Sequence, residues 1–231
     1  MLTTETLTDQ ELETLLAQVN TSVPSGARNY ALLLLMAQTG LRCAEALGLK
    51  KSDIKQVTIE GGKASAVVLP EKASKGGKGG RIVLLAPQVV AAIQLWLKHR
   101  EGLGIEGGLL FCTITQGNRQ AGFATDGELK LGQPVDTRYV RDLVKRLAQK
   151  AGIDRRVHPH MLRHTALTNL YNGTKDLRLT QIVAGHTTSR MTERYTHKTL
   201  NEQAEAFGVE VEEERQYGSL TAKNANDAKN D

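Results

Sequence analysis

The chain has 231 residues, 30 Lys/Arg against 25 Asp/Glu for a formal net charge of +5, and only 4% aromatic residues. That length buries one good core and at most a small appendage, and so few aromatics argue against the stacking platforms of single-strand nucleic-acid binders. The charge is unevenly placed: residues 201–231 carry 8 Asp/Glu and 3 Lys/Arg, residues 1–200 carry 17 and 27, a basic body that suits a polyanionic partner and equally a soluble domain with solvated lysines.

In chain order, Thr8-Asp9-Gln10-Glu11 forms a capping box ahead of a helix carrying Leu12, Leu15 and Leu16. A second helix starts after Ser25-Gly26, carries Tyr30 to Ala37 and stops at Gly40; a short third one holds Arg42 to Leu49. Strand-like segments follow at Val57–Glu60, Ala64–Leu69 and Arg81–Leu85, with Gly61-Gly62 as a hairpin turn and Ala73–Gly80 as a mobile loop. Pro87 opens a helix that runs to Arg100, Glu101–Gly108 is a glycine-rich connection, and Thr115–Pro134 reads as a long polar loop. Asp136 caps a basic helix to Ala151 with Arg138, Arg141, Lys145, Arg146 and Lys150. Pro159 precedes a helix from His160 to Tyr171. Shorter ones follow at Asp176–Ala184 and Ser189–Tyr195, and a last one starts near Leu200. From Glu210 the composition is that of a disordered tail. The expected fold class is α+β: a mostly helical domain over residues 1–208 with one small three-stranded antiparallel sheet, and an acidic, polar tail over residues 209–231.

Cys43 and Cys112 lie in separate apolar segments without CxxC or metal spacing, which suits a reduced, cytoplasmic protein. The longest apolar run, Ala31 to Ala37, is far too short to cross a bilayer. The start, Met1-Leu2-Thr3-Thr4-Glu5, lacks the layout of a signal peptide.

Four segments carry chemistry. In Thr39-Gly40-Leu41-Arg42-Cys43-Ala44-Glu45-Ala46-Leu47 an arginine starts a helix in an apolar setting, with Glu45 on the same face; taken alone, a structural ion pair is the simpler account. His160 and Arg163 project from one helix face. His164 would complete a metal-binding pair with His160, but no nearby Asp, Glu or Cys adds the further ligands that zinc needs, so no metal is expected. The loop Lys72-Ala73-Ser74-Lys75-Gly76-Gly77-Lys78-Gly79-Gly80-Arg81 is no P-loop, so an ATP site is unsupported. It fits a hairpin that lowers a lysine onto a DNA backbone, and a solvated linker equally well. Lastly, Arg194-Tyr195-Thr196-His197 follows Gly185-His186 closely. A tyrosine in that company suggests a phosphate under attack, because guanidinium forks match phosphate oxygens and imidazoles move protons near pH 7.

Taken in order, Arg42, Lys75, His160-x-x-Arg163, Gly185-His186 and Tyr195 resemble the catalytic domain of the tyrosine recombinase/integrase family. Three blocks carry the resemblance over residues 8 to 200: Thr39 to Leu47, Pro159-His160-x-Leu162-Arg163-His164-Thr165, and Gly185-His186-Thr187 through Arg194-Tyr195-Thr196-His197. It implies that Tyr195 is the nucleophile on a DNA phosphodiester, leaving a 3′-phosphotyrosyl link and a free 5′-hydroxyl. Arg42 and Arg163 would clamp the non-bridging oxygens, Lys75 would protonate the leaving 5′-oxygen with Lys72 and Lys78 as rivals for that role, and His160 would take the proton of Tyr195. His186 would hydrogen-bond the phosphate, and Glu45 matches the family's acidic helper. Two arginines, a histidine and a lysine meet the needs of phosphate-ester attack without metal, ATP or other cofactor.

The partners so implied are double-stranded DNA, further copies of the chain in a tetrameric synapse, and accessory DNA-bending proteins, but no membrane. The helix at Arg138, Arg141, Lys145 and Arg146 is the candidate for DNA contact. Family members commonly carry an N-terminal core-binding domain; this chain starts about where the catalytic domain does, so the expectation is either a single-domain member without one, like the fimbrial phase-variation invertases, or a fragment. Two other functions share these residues: a DNA-binding accessory protein with reduced catalysis, and a type IB topoisomerase-like relaxase. Leu200, Ala204 and Phe207 form an apolar stripe after the nucleophile, equally suited to docking on a neighbouring subunit and on its own domain.

Overall fold

A computed structural model describes residues 6–69, 80–114, 131–185 and 197–211. Helix α1 (Asp9–Ala17) begins with the expected capping box: Thr8 Oγ1 accepts from the Glu11 N–H at 3.1 Å, and Glu11 Oε2 accepts from the Thr8 N–H at 2.8 Å. Helix α2 (Pro24–Thr39) takes in Ser25 and Gly26, which were expected to precede it, because proline fits the first helical turn, where its missing N–H costs nothing. It buries Ala27, Ala31, Leu32, Leu33, Leu35 and Met36, so apolar residues line nearly all of its circumference and it becomes the central helix. Gly40 ends it in the left-handed conformation at φ 65°, where a Cβ would also come within 3.0 Å of Leu167. Helix α3 (Cys43–Leu47) is shorter than its sequence suggested, with Arg42 as the extended residue that precedes it.

A 3-10 turn (Lys51–Asp53) leads into β1 (Ile54–Ile59), β2 (Gly62–Leu69) and β3 (Arg81–Leu84), which form an antiparallel sheet in the order β1-β2-β3. The hairpin register pairs Ile59 with Gly62 and Ile54 with Val67. Alternation along β2 decides the packing. Val67 joins the main helical core, while Ala64 and Ala66 face a second cluster with Ile59, Leu84 and Leu200. Helices α4 (Pro87–Gly102), α5 (Thr137–Lys150) and α6 (Pro159–Thr174) complete the main core with Trp96, Val140, Val144 and Leu162. The expected loop Thr115–Pro134 lies mostly outside the described residues; its flanks are tied by the Thr113 N–H to the Gln133 carbonyl at 2.8 Å.

Helix α7 (Leu177–Ala184) is capped by Asp176, whose Oδ1 accepts from the Leu179 N–H at 2.9 Å. The helix expected over Ser189–Tyr195 lies outside the described residues. Helix α8 (His197–Phe207) docks on the sheet of its own chain: Leu200, Ala204 and Phe207 pack over the second cluster, joined by Val209 and Val211. Gln203, fully buried, accepts the Leu84 N–H at 3.1 Å, and Asn201 pairs with Glu60 through its backbone and its carboxylate. A covered edge strand cannot recruit a foreign one. Residues 212–231, most of the expected tail, are outside the described residues, and among those described no helix is long and apolar enough to cross a membrane.

Candidate active site

Helix ends converge on one buried cation. The carbonyls of the last turn of a helix lack intrahelical donors and carry the negative end of its dipole. Arg163, 3% exposed on α6, donates to two such groups, the Gly40 carbonyl that ends α2 and, at 2.7 Å, the Ala184 carbonyl that ends α7. Burial, with Arg42 and Arg81 nearby, lowers its pKa to about 10 against the opposing pull of Glu45, so it stays charged at neutral pH.

Arg42 leaves the Gly40 turn and is held by Glu45. The Arg42 N–H donates to Glu45 Oε2 at 2.8 Å and Nη1 donates to Oε1 at 3.1 Å, while 45% of the arginine side chain remains exposed. The ion pair expected from the sequence is therefore present, beside Arg163. Burial raises the pKa of Glu45, but the hydrogen bond and charge of Arg81 and those of Arg42 outweigh it and set the value at about 2. Three guanidiniums around one carboxylate leave a net positive charge at this place, suited to a phosphate.

His160 is exposed on the first turn of α6, with the His164 ring edge-on at a centroid distance of 4.4 Å and the His158 ring stacked at 6.5 Å. Among the described residues no group of three or more His, Cys, Asp or Glu is arranged to hold a metal ion. Cys43 is no rival nucleophile, since burial pushes its thiol up to about 11. Lys72, Lys75, Lys78, His186 and Tyr195 lie outside the described residues. Their chain neighbours do meet, however. Arg81, one residue beyond the described end of the lysine loop, packs its guanidinium on Gly185, the residue before His186, so closely that a Cβ there would lie 2.4 Å from Nη1.

Arg81 is the site residue that the sequence did not single out. It reads as the start of a strand after a basic, glycine-rich run, and only the tertiary structure sets it on Glu45, with Nη1 to Oε1 at 3.2 Å and Nη2 to Oε2 at 2.8 Å. The four candidate residues of α5 (Arg138, Arg141, Lys145 and Arg146) share its exposed face, opposite buried Val140, Leu143, Val144 and Leu147.

Residues 5–202 match the model of the phage integrase family. The chain belongs to that family. Tyrosine recombinase XerC of Corynebacterium glutamicum is 33% identical over 184 residues, covering 78% of this chain and 50% of the relative. XerC of Escherichia coli O1:K1 is 30% identical over 192 residues, covering 83% and 56%. Among solved structures, the XerH site-specific recombinase bound to its difH substrate superposes with a TM-score of 0.59 at 27% identity, over 87% of this chain and 50% of that one. XerA recombinase gives a TM-score of 0.59 at 26% identity, over 87% and 62%. The expected family and fold class are thus met. This phage integrase chain spans about half the length of the curated relatives it matches.

Proposed function

We propose that this chain carries the catalytic machinery of a site-specific DNA recombinase that cuts and rejoins strands through Tyr195. The observation that supports it best is the gathering of Arg42, Glu45 and Arg163 in one cationic cluster, with Arg163 on the Ala184 carbonyl and Arg81 on Gly185, at the root of the segment that leads to Tyr195. In this reading the Tyr195 hydroxyl oxygen attacks phosphorus in line and forms a P–O bond as the bond to the 5′-oxygen breaks. His160 takes the phenolic proton and Lys75 supplies one to the departing oxygen. Arg42 and Arg163 offset the charge that builds on the non-bridging oxygens, and His186 donates to one of them. The phosphotyrosyl ester conserves the energy of the broken phosphodiester bond, so a 5′-hydroxyl of another strand can attack it and release Tyr195 without ATP or metal.

The substrate is double-stranded DNA, with the exposed cationic face of α5 against its backbone. Strand exchange engages a tetramer on two paired sites, in the cytoplasm with the cell's DNA, and bending proteins would assist it. The test uses a pool of nicked duplexes randomised around the nick, since the target sequence is unknown. The parent chain should trap a subset as a covalent complex that survives denaturation, and Tyr195→Phe should trap none. Equal trapping by Tyr195→Phe would refute the nucleophile. Relaxation of supercoils by dilute protein with no recombinant product would instead favour a topoisomerase-like activity.

A further inference from the structure

The carboxylate of Glu45 has about four lone-pair positions, and all of them are used. Oε1 takes Nη1 of Arg42 and Nη1 of Arg81; Oε2 takes the Arg42 backbone N–H and Nη2 of Arg81. Arg81 holds the two-point fork, and Arg42 gives Glu45 only one guanidinium nitrogen. Were Arg81 absent, the stronger fork would be open to Arg42, and a bidentate Arg42–Glu45 pair would withdraw donors from the phosphate.

We propose that Arg81 is a positioning residue for strand cleavage, which saturates Glu45 so that Arg42 is held by one nitrogen and offers the others to the phosphate, while its guanidinium braces the Gly185 turn ahead of His186. The proposal rests on the recombinase reading above. Three observations support it independently of the family. Arg81 is 11% exposed and gives its two terminal nitrogens to Glu45. Its Nε is buried with no hydrogen-bond partner among the described residues, so its position follows from the fork and not from best satisfaction of its own donors. The contact with Gly185 couples the start of β3 to the end of α7, the two roots from which the lysine loop and the His186–Tyr195 segment leave the described fold.

The test measures single-turnover covalent trapping with a duplex captured by the parent, at saturating DNA, together with DNA affinity. Arg81→Met is expected to slow trapping by about 10- to 100-fold, the loss that goes with one charge-assisted hydrogen-bonding site, with affinity for DNA within about threefold of the parent. In a Glu45→Ala background, Arg81→Met should slow trapping by less than about twofold, because the fork on Glu45 is what holds Arg81 in place, against Gly185 as well as beside Arg42. Arg81→Lys keeps the charge without the fork, should remain slow, and carries the test if Arg81→Met does not fold. Parent-like trapping by Arg81→Met or Arg81→Lys would overturn the proposal alone, as would a full multiplicative loss in the Glu45→Ala background or a loss confined to DNA affinity. If the parent traps no duplex at all, the recombinase reading falls and this proposal with it.

Discussion

Gly185→Ala offers a measure of how tightly the site is built, without any need for DNA. Gly185 sits at φ 66°, where an L-residue is strained by about 1–2 kcal/mol. The new Cβ would also meet Nη1 of Arg81 at 2.4 Å. The end of a flexible side chain usually moves aside at little cost, but this one is forked onto Glu45 at 2.8 and 3.2 Å and is 11% exposed. Moving it sacrifices at least one hydrogen bond between charged groups, about 1.5–3 kcal/mol. The sum is a destabilisation of about 2.5–5 kcal/mol in the parent. With Arg81→Ala as background the clash vanishes and only the backbone strain remains, about 1–2 kcal/mol. Urea unfolding of the four variants, followed by circular dichroism with the slope held common, yields both numbers. An equal cost of Gly185→Ala in the two backgrounds would refute the close packing of Arg81 on the α7 end.

Three other outcomes are expected. Glu45 has its pKa depressed from 4.5 to about 2, so its ion pairs stabilise the fold fully above pH 4.5 and that contribution is lost as the pH falls through 2; the stability advantage of the parent over Glu45→Gln in thermal melts should narrow across that window and stay level from pH 5 to 7. Gln203→Leu leaves the buried Leu84 N–H without its acceptor and should cost about 1–3 kcal/mol in urea unfolding, with no such loss at exposed Glu205→Leu. Arg141→Ala on the α5 face should weaken DNA binding for all sequences alike and lower the slope of log affinity against log salt by about 0.9; an unchanged slope would remove that helix from the phosphate contacts.

The fold was legible where local chemistry is decisive. Proline at the first turn of α4 and α6, the Thr8 and Asp136 caps, and the glycine stop at Gly40 set helix boundaries within a few residues, whereas the Pro24 start of α2 went unread. The hairpin was equally plain from its Gly-Gly pair. Arg42, Glu45, His160 and Arg163 stood out because their order and spacing match a known family pattern, not because any one of them is distinctive alone. Arg81 escaped notice for the opposite reason: an arginine at the head of a strand, after a run of lysines and glycines, has nothing local to mark it.

By itself, then, the sequence determined the family, the fold class, most of the described elements and the basic face of α5, since caps, periodicity and residue type act over a few positions. The tertiary structure decided which groups share a carboxylate, and how. Arg163 ties the carbonyl ends of α2 and α7, two segments distant in the chain, and the fork of Arg81 on Glu45 spans 36 positions. It also decided that α8 covers the sheet of its own chain, which its apolar stripe left open. Such pairings depend on where the main core places the helix ends and on the electrostatics of gathering three cations, one of them buried, beside one anion, and no short-range pattern encodes either.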